Sequence, residues 1–333
     1  MNIVFFGTPA YSLPALKSLI KKHNVCAVVT NNDKPAGRGN KIIFPPVKEF
    51  ALLNNIKVFQ FENIRKENYS ALYDYKDGVF ITIAFGQILS QEIIDIPKYG
   101  VYNIHASLLP AYRGASPITE ALKNGDNETG VTIMKTELGL DAGDIAHVKK
   151  IKIEDGDNSL TLSEKLSVLS AEAIDEFLGT LERSKISLIK QDNAKATYCK
   201  TIKKEDALID FSKSNVEIHN TVRAYYTWPT AHFIINGNTY KVFETIPLTL
   251  GCREAAGWLY EHNAKVKFPS NVRGVARSDG ELEAGKIISA DSKNGLIIQC
   301  GKGLLEIITL QAAGKAKMNA KDYLRGNKLM TGG

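Results

Sequence analysis

The residues best placed to do chemistry lie in Asn103-Ile104-His105-Ala106-Ser107-Leu108-Leu109-Pro110 and the Ala111-Tyr112-Arg113-Gly114-Ala115-Ser116-Pro117 run that follows. Asn103 and His105 are two positions apart at the end of an expected strand, so their side chains share a face. That end is the carboxyl edge, where an open α/β sheet usually takes its ligand. An amide donor and an imidazole then address one point in space. Downstream, Gly139-Leu140-Asp141-Ala142-Gly143-Asp144 is a glycine-punctuated turn between two expected strands. Asp141 is a candidate to orient or polarise His105 if this turn folds back beside it. Taken alone, an Asn and a His at a strand end also serve to satisfy local backbone groups; the adjoining Ser-Leu-Leu-Pro turn is what favours chemistry here. The remaining histidines invite less: His23, His219, His232 and His262 sit in surface or helix-end patterns, and His147 lies on a strand beside lysines.

A second unusual stretch is Asn31-Asn32-Asp33-Lys34-Pro35-Ala36-Gly37-Arg38-Gly39-Asn40-Lys41. It offers little with which to pack, and Lys34, Arg38 and Lys41 suit phosphate contacts; a mobile surface loop is the other reading. Two nucleotide signatures are missing. Gly7-Thr8-Pro9 is not a GxGxxG turn and there is no GxxxxGK[ST], which argues against a nicotinamide oxidoreductase and an ATP-driven enzyme. No HExxH or CxxC suggests a metal, and Cys26, Cys199, Cys252 and Cys300 are too scattered for a disulfide framework.

The elements that must position these residues change in character along the chain. The first half alternates β-branched or aromatic runs with helical patterns, the mark of a mostly parallel sheet covered by helices. Strands are expected at 3–6, 25–30, 57–59, 79–85, 101–104 and 131–135, with helices at 47–53, 65–73, 118–123 and 160–181. Another helix is expected to run to Lys21 with Ser12 as its N-cap. Beyond Ser184 come shorter alternating segments with hairpin signals at Asn236-Gly237 and Asn294-Gly295 and a turn at Gly301-Lys302-Gly303. This predicts an α/β domain over 1–184, a linker over 185–205 and a small antiparallel β-barrel over 206–333. The composition, 44% hydrophobic and 23% charged, is that of a globular chain. Its net charge of +6 is uneven: cations and anions balance 23 to 23 as far as Cys199, and 19 cations face 13 anions beyond it. That excess fits either a basic nucleic-acid-binding domain or simply a soluble basic one. No apolar run is long enough to cross a membrane and no basic n-region opens the chain, so a cytosolic protein is expected.

Together the motifs resemble the methionyl-tRNA formyltransferase family. Phe-x-Gly-Thr-Pro at the start, the Pro35 to Gly39 loop, Asn-x-His with Ser-Leu-Leu-Pro, Arg-Gly-Ala-x-Pro-Ile, Gly-Leu-Asp-x-Gly-Asp, Trp228-Pro229 and the closing Leu324-Arg325-Gly326 occur in that family's order. The resemblance implies a Rossmann-like formyltransferase domain followed by an OB-like barrel. It also implies formyl transfer from 10-formyltetrahydrofolate, without a metal, to the methionine of initiator methionyl-tRNA. The family's catalytic trio falls on Asn103, His105 and Asp141. Its folate contacts fall on Ala84, Phe85, Gly86, Ser107, Leu108, Leu109 and Pro110, and its acceptor-arm loop on Lys34, Arg38 and Lys41. A monomer is expected, since no long apolar seam asks for a partner. The formyltransferase signature alone would also suit an amino-sugar formyltransferase, and the basic second half alone a noncatalytic RNA-binding protein. One departure stands out: the segment 251–284, with Trp258, Tyr260 and Phe268 among cations, is longer than the resemblance implies. It reads either as an RNA-stacking surface or as an extra hairpin.

Overall fold

The structure, a computed structural model, describes residues 1–36, 41–183, 186–248, 258–261, 264–267 and 283–329, without the side chains of Ala36, Lys41 and 258–267. It divides into two compact units: Met1–Ala121 with Asn127–Asp155 and Thr161–Thr201, and Leu122–Asp126 with Gly156–Leu160 and Ile202–Gly333.

In the first unit the chain runs β1 (Asn2–Gly7), α1 (Leu13–Lys22), β2 (Asn24–Asn31), β3 (Lys34–Ala36), β4 (Lys41–Ile43), α2 (Pro46–Leu53), β5 (Lys57–Phe61), β6 (Val79–Ile83) and α3 (Gln91–Ile94). It continues through β7 (Val101–His105), β8 (Arg113–Gly114), α4 (Pro117–Asn124), β9 (Glu128–Lys135), β10 (Ile145–Lys152), α5 (Ser159–Glu182) and β11 (Tyr198–Cys199). The main sheet has the order β10-β9-β7-β6-β1-β2-β5. Its β7-β6-β1-β2-β5 part is parallel, and β9 and β10 are added antiparallel. This is the mostly parallel sheet that the alternating pattern predicts, and the Rossmann-like domain that the resemblance implies. From β1 the chain builds outward through β2 and β5, then returns to place β6 on the other flank of β1, which makes the β1/β6 border the switch point where such sheets open a ligand crevice.

Burial explains why these segments are strands. Residues 3–6 of β1 and all of β6 are buried, as central parallel strands covered on both faces must be. The 24-residue α5 buries Leu162, Leu166, Leu169, Ala173, Phe177 and others along one stripe, and its Phe177 ring lies 4.6 Å from that of Tyr102. Burying a side chain of that size contributes about 1.5–3 kcal/mol. Because Tyr102 alternates with Asn103 and His105, this contact fixes β7 from the face opposite theirs.

Three local expectations are corrected. Ser12 does not cap α1 with its side chain; it is fully buried and donates to the Ile83 carbonyl at 2.9 Å. No α-helix forms over 65–73, where only a 3₁₀ segment, Ser70–Tyr75, is found. The side chains of Asn63 and Asn68 take the backbone N–H groups of Arg65 and Ser70, a local alternative to helical bonding. The strand expected to reach Phe85 stops at Ile83, because Ala84 turns the chain at φ 48°.

The second unit holds α6 (Asn215–Ala224), β12 (His232–Ile235), β13 (Asn238–Leu248), β14 (Trp258–Glu261), β15 (Ala264–Lys267), β16 (Ile287–Asp291), β17 (Gly295–Gln299), β18 (Leu304–Ala312), β19 (Met318–Asn319) and α7 (Ala320–Gly326). An antiparallel half-barrel in the order β12-β13-β18-β17-β16, with β19 on β18, wraps a core that includes Phe233, Val242, Leu296, Ile298, Leu305 and Leu310. Both Asn-Gly hairpins and the Gly301-Lys302-Gly303 turn fall where the sequence predicts them. Within 251–284, β14 and β15 pair antiparallel; Phe268 and the rest of that expected surface lie outside the described residues. No described helix is long and apolar enough to cross a membrane.

Candidate active site

β7 ends at the carboxyl edge of the sheet, between β6 and β9, with Thr82 in register with Asn103 and Thr132 with His105. Thr82 donates its hydroxyl to Asn103 Oδ1 at 2.8 Å. That bond commits the amide oxygen to Thr82 and leaves the NH2 end as the group that can donate elsewhere. Thr82 was not visible as a site residue in the sequence, because nothing in the spacing says which residue of another strand lies beside Asn103.

His105 is 6% exposed, with a polar neighbour at each ring nitrogen. Nε2 lies 2.8 Å from the Tyr112 carbonyl oxygen, which can only accept, so Nε2 carries a proton. Nδ1 lies 3.7 Å from Asp141 Oδ2, within ion-pair range but too far for a closed hydrogen bond. The turn carrying Asp141 therefore does fold back beside His105. Asp141 is in the left-handed region at φ 47°, and its Oδ2 also accepts the Gly114 N–H at 2.8 Å. The structure thus brings Asn103, His105 and Asp141 to one sheet edge.

The Arg113-Gly114 pair that serves these groups is itself clamped. β8 pairs with β11, so the segment expected to begin a linker at 185 is hydrogen-bonded into the first unit as far as Cys199. Tyr112 N donates to Thr197 Oγ1 at 2.8 Å and Arg113 N to the Thr197 carbonyl at 2.9 Å. The Arg113 guanidinium, 2% exposed, reaches Gln191, Asn193 and Tyr198, all neutral. Burial pushes the Cys199 thiol up, so it stays protonated beside the Tyr112 and Arg113 carbonyls.

The expected folate residues divide by role. Ser107 is fully buried; its hydroxyl donates to the Ala111 carbonyl at 2.6 Å, and its carbonyl accepts from Thr132 Oγ1 at 2.7 Å. Leu109 N donates to the same Thr132 oxygen at 3.1 Å and Leu109 is buried, whereas Leu108 and Pro110 are half-buried and closer to the surface. Phe85 is 4% exposed, its ring set edge-on to Phe6 at 5.5 Å, so its side chain belongs to the core. Ala84 and Gly86 flank it with φ 48° and 79°. The Phe85 carbonyl accepts from Asn31 Nδ2 and Thr8 Oγ1, and Asn31 Oδ1 in turn accepts from Gln87 at 2.7 Å. These polar groups lie at the carboxyl ends of β1, β2 and β6, beside the switch point.

At the basic loop, Lys34 is exposed at the base of the β3/β4 hairpin. Arg38 lies outside the described residues, as does the side chain of Lys41. The hairpin's footing is visible: Lys48 bonds Asp33 Oδ2 at 2.6 Å, and with Gln60 holds that carboxyl below the usual carboxylate range. Ile42 and Ile43, 69% and 55% exposed, show that this arm carries apolar as well as cationic groups. No cluster of three or more His, Cys, Asp or Glu side chains suited to a metal occurs among the described residues.

Comparison with known proteins adds to this geometry. Residues 1–178 match the formyl transferase family model and residues 201–328 the model of the formyl transferase C-terminal domain. The chain is 37% identical to a methionyl-tRNA formyltransferase of Geobacter metallireducens, covering 100% of this chain and 97% of the relative. It is 38% identical to one of Citrifermentans bemidjiense, covering 100% and 96%. Among solved structures, the fold is similar to an N-formyltransferase from Helicobacter canadensis in complex with folinic acid and dTDP-3-aminofucose (TM-score 0.63, 20% identity, 92% of this chain and 98% of that one).

Proposed function

Because the chain belongs to the methionyl-tRNA formyltransferase family, we propose that Asn103, His105 and Asp141 carry out formylation of the α-amino group of methionine on initiator methionyl-tRNA. The formyl donor is a formyl-tetrahydrofolate, read here as the 10-formyl form, and it supplies an activated formyl carbon. The expected place for such a donor is the carboxyl end of the sheet at the β1/β6 border, where Ala84 and Gly86 turn the chain and where Leu108 and Pro110, both half-buried, are its expected contacts. Attack of the neutral amine puts negative charge on the formyl oxygen. Donors fixed in advance are worth most there, because they need no reorganisation as the charge develops. Asn103 supplies one through the amide that Thr82 orients. With Nε2–H given to Tyr112, His105 donates from Nδ1, and the ring is then an imidazolium whose counter-ion is Asp141. Asp141 also removes the proton from the attacking amine, directly or through one water. As the negative charge on the formyl oxygen returns to a carbonyl, the bond from the formyl carbon to N10 of the donor breaks, and the proton taken from the amine passes to N10, so that tetrahydrofolate leaves.

The observation that carries this reading is the approach of Asp141 to the one His105 nitrogen not committed to backbone. The test is formyl transfer from 10-formyltetrahydrofolate to methionyl initiator tRNA, run beside uncharged tRNA, glycinamide ribonucleotide and a UDP-amino sugar, with His105→Ala as control. Turnover on the charged tRNA alone, lost in the variant, is the expected result. Turnover on a small amine instead would keep the chemistry and overturn the acceptor.

The basic second unit and the Lys34, Arg38 and Lys41 arm are read as the tRNA-holding surfaces, and the protein as a cytoplasmic monomer without a membrane partner. Arg38→Ala is expected to raise KM for methionyl-tRNA about tenfold, the scale of one charge-assisted phosphate contact. Folate affinity, measured by fluorescence titration, should not change. Equal folate and tRNA defects would sink the assignment.

A further inference from the structure

The geometry points to a positioning residue outside every motif of the sequence: we propose that Gln191 holds Asp141 in its working conformation. The inference rests on the role given to Asp141 above. Asp141 occupies the left-handed region at φ 47°, uncommon for a non-glycine residue though better tolerated by Asp than by most. Gln191 is placed to hold it there. Its Nε2 donates to the carbonyl of Asp141 at 2.9 Å and to that of Gly143 at 2.7 Å, so one amide spans the turn.

The other end of the same amide faces the second loop of the site. Oε1 accepts from Arg113 Nε at 3.1 Å and Nη2 at 2.8 Å, and Arg113 Nη2 also reaches Asn193 Oδ1 at 2.8 Å. Gln191 is 6% exposed, so water does not replace these partners. The residues around it keep it in place. Ile189 exchanges both backbone bonds with Ile145, and Tyr198 and Cys199 pair with Arg113 and Gly114. Gln191 therefore couples the Arg113-Gly114 loop, which supplies the Asp141 carboxylate with a backbone N–H, to the turn that carries Asp141 itself. An amide is suited to this task and a carboxylate is not: the two carbonyls need a donor, while the guanidinium needs an acceptor.

The experiment is a double-mutant cycle between Gln191→Glu and Asp141→Asn, read as steady-state kcat and KM for formyl transfer to methionyl-tRNA. Gln191→Glu keeps an acceptor for Arg113, so the buried guanidinium stays paired, and it replaces the donor to the two carbonyls with a carboxylate oxygen that repels them. Its expected kcat is lower by on the order of 10- to 100-fold, the scale of displacing a reacting group by about 1 Å. KM for both substrates should stay within about twofold, since neither binding surface is touched. In the Asp141→Asn background the same substitution should cost nothing further, because groups acting through one another are not additive. Gln191→Ala removes the amide altogether and is read through the same cycle if the carboxylate variant does not fold. Wild-type kcat in Gln191→Glu, or an undiminished loss in the Asp141→Asn background, would overturn the proposal. Full activity of Asp141→Asn alone would instead overturn the role of Asp141, a result the cycle separates from the first two.

Discussion

Asn103→Ala is expected to lower kcat for formyl transfer by about 10²- to 10³-fold, the usual loss when one donor to a developing oxyanion is removed. Its cost in stability should be small, and the structure says why. Asn103 is half-buried, and Thr82, which loses its 2.8 Å acceptor, still has the Tyr102 carbonyl at 3.5 Å. No buried donor is therefore left without a possible partner, and the melting temperature should move by only a few degrees. His105→Ala should lose at least as much activity but is the less clean experiment. Removing that ring takes the 2.8 Å donor from the Tyr112 carbonyl, which keeps the weaker Cys199 thiol at 3.4 Å, and opens space at a position only 6% exposed, which adds a cost of about 1–3 kcal/mol to folding. Rates at saturating folate and tRNA, paired with thermal denaturation, distinguish the two variants. An Asn103→Ala enzyme within fivefold of the parent kcat would remove Asn103 from the oxyanion site.

Which parts of this site were legible in the sequence follows from how each is specified. β1, β2, β6, β7 and the two Asn-Gly hairpins rest on local patterns, buried runs and turn residues, and local patterns are read directly. Asn103 and His105 share a face because strand alternation is obligatory. Asp141 could be nominated but not placed, since its approach to His105 depends on how a turn 38 residues from Asn103 folds back, which no spacing encodes. Thr82, Arg113 and Gln191 were out of reach for a related reason. Their roles come from register between strands and from side-chain bonds across long loops. The segment containing Gln191 also shows how absence of pattern misleads. It has few apolar residues at a regular period and so reads as a connector, yet its order comes from hydrogen bonds to Arg113, Asp141, Gly143 and Ile145. The failed 65–73 helix is the converse case, where a helical pattern was overruled by Asn side chains bonding their own backbone.

Gly114→Ala should be nearly as damaging to catalysis as loss of a donor, although glycine carries no functional group. Gly114 sits at φ 122°, outside the range an L side chain readily takes, and a Cβ there would drive into the Cys199 carbonyl oxygen. That oxygen cannot give way cheaply, because it accepts the Ala115 N–H at 3.3 Å and belongs to β11, which pairs with β8. The chain at 113–115 must move instead. The Gly114 N–H then leaves Asp141 Oδ2, now at 2.8 Å, and the Tyr112 carbonyl shifts under His105 Nε2. A displacement of about 1 Å in groups that orient both His105 and Asp141 is expected to lower kcat on the order of 10²-fold. Stability should fall by about 1–3 kcal/mol from the strained backbone. Gly237→Ala separates the two effects. Gly237 also has a positive φ, 74°, but nothing lies within 4 Å of its would-be Cβ, and it belongs to a hairpin turn of the second unit. That variant should show the strain cost without the catalytic one. If Gly114→Ala instead turned over like the parent while melting several degrees lower, the backbone at 114 would be a matter of folding alone, and the 2.8 Å bond to Asp141 would have no part in setting the carboxylate proposed to act in catalysis.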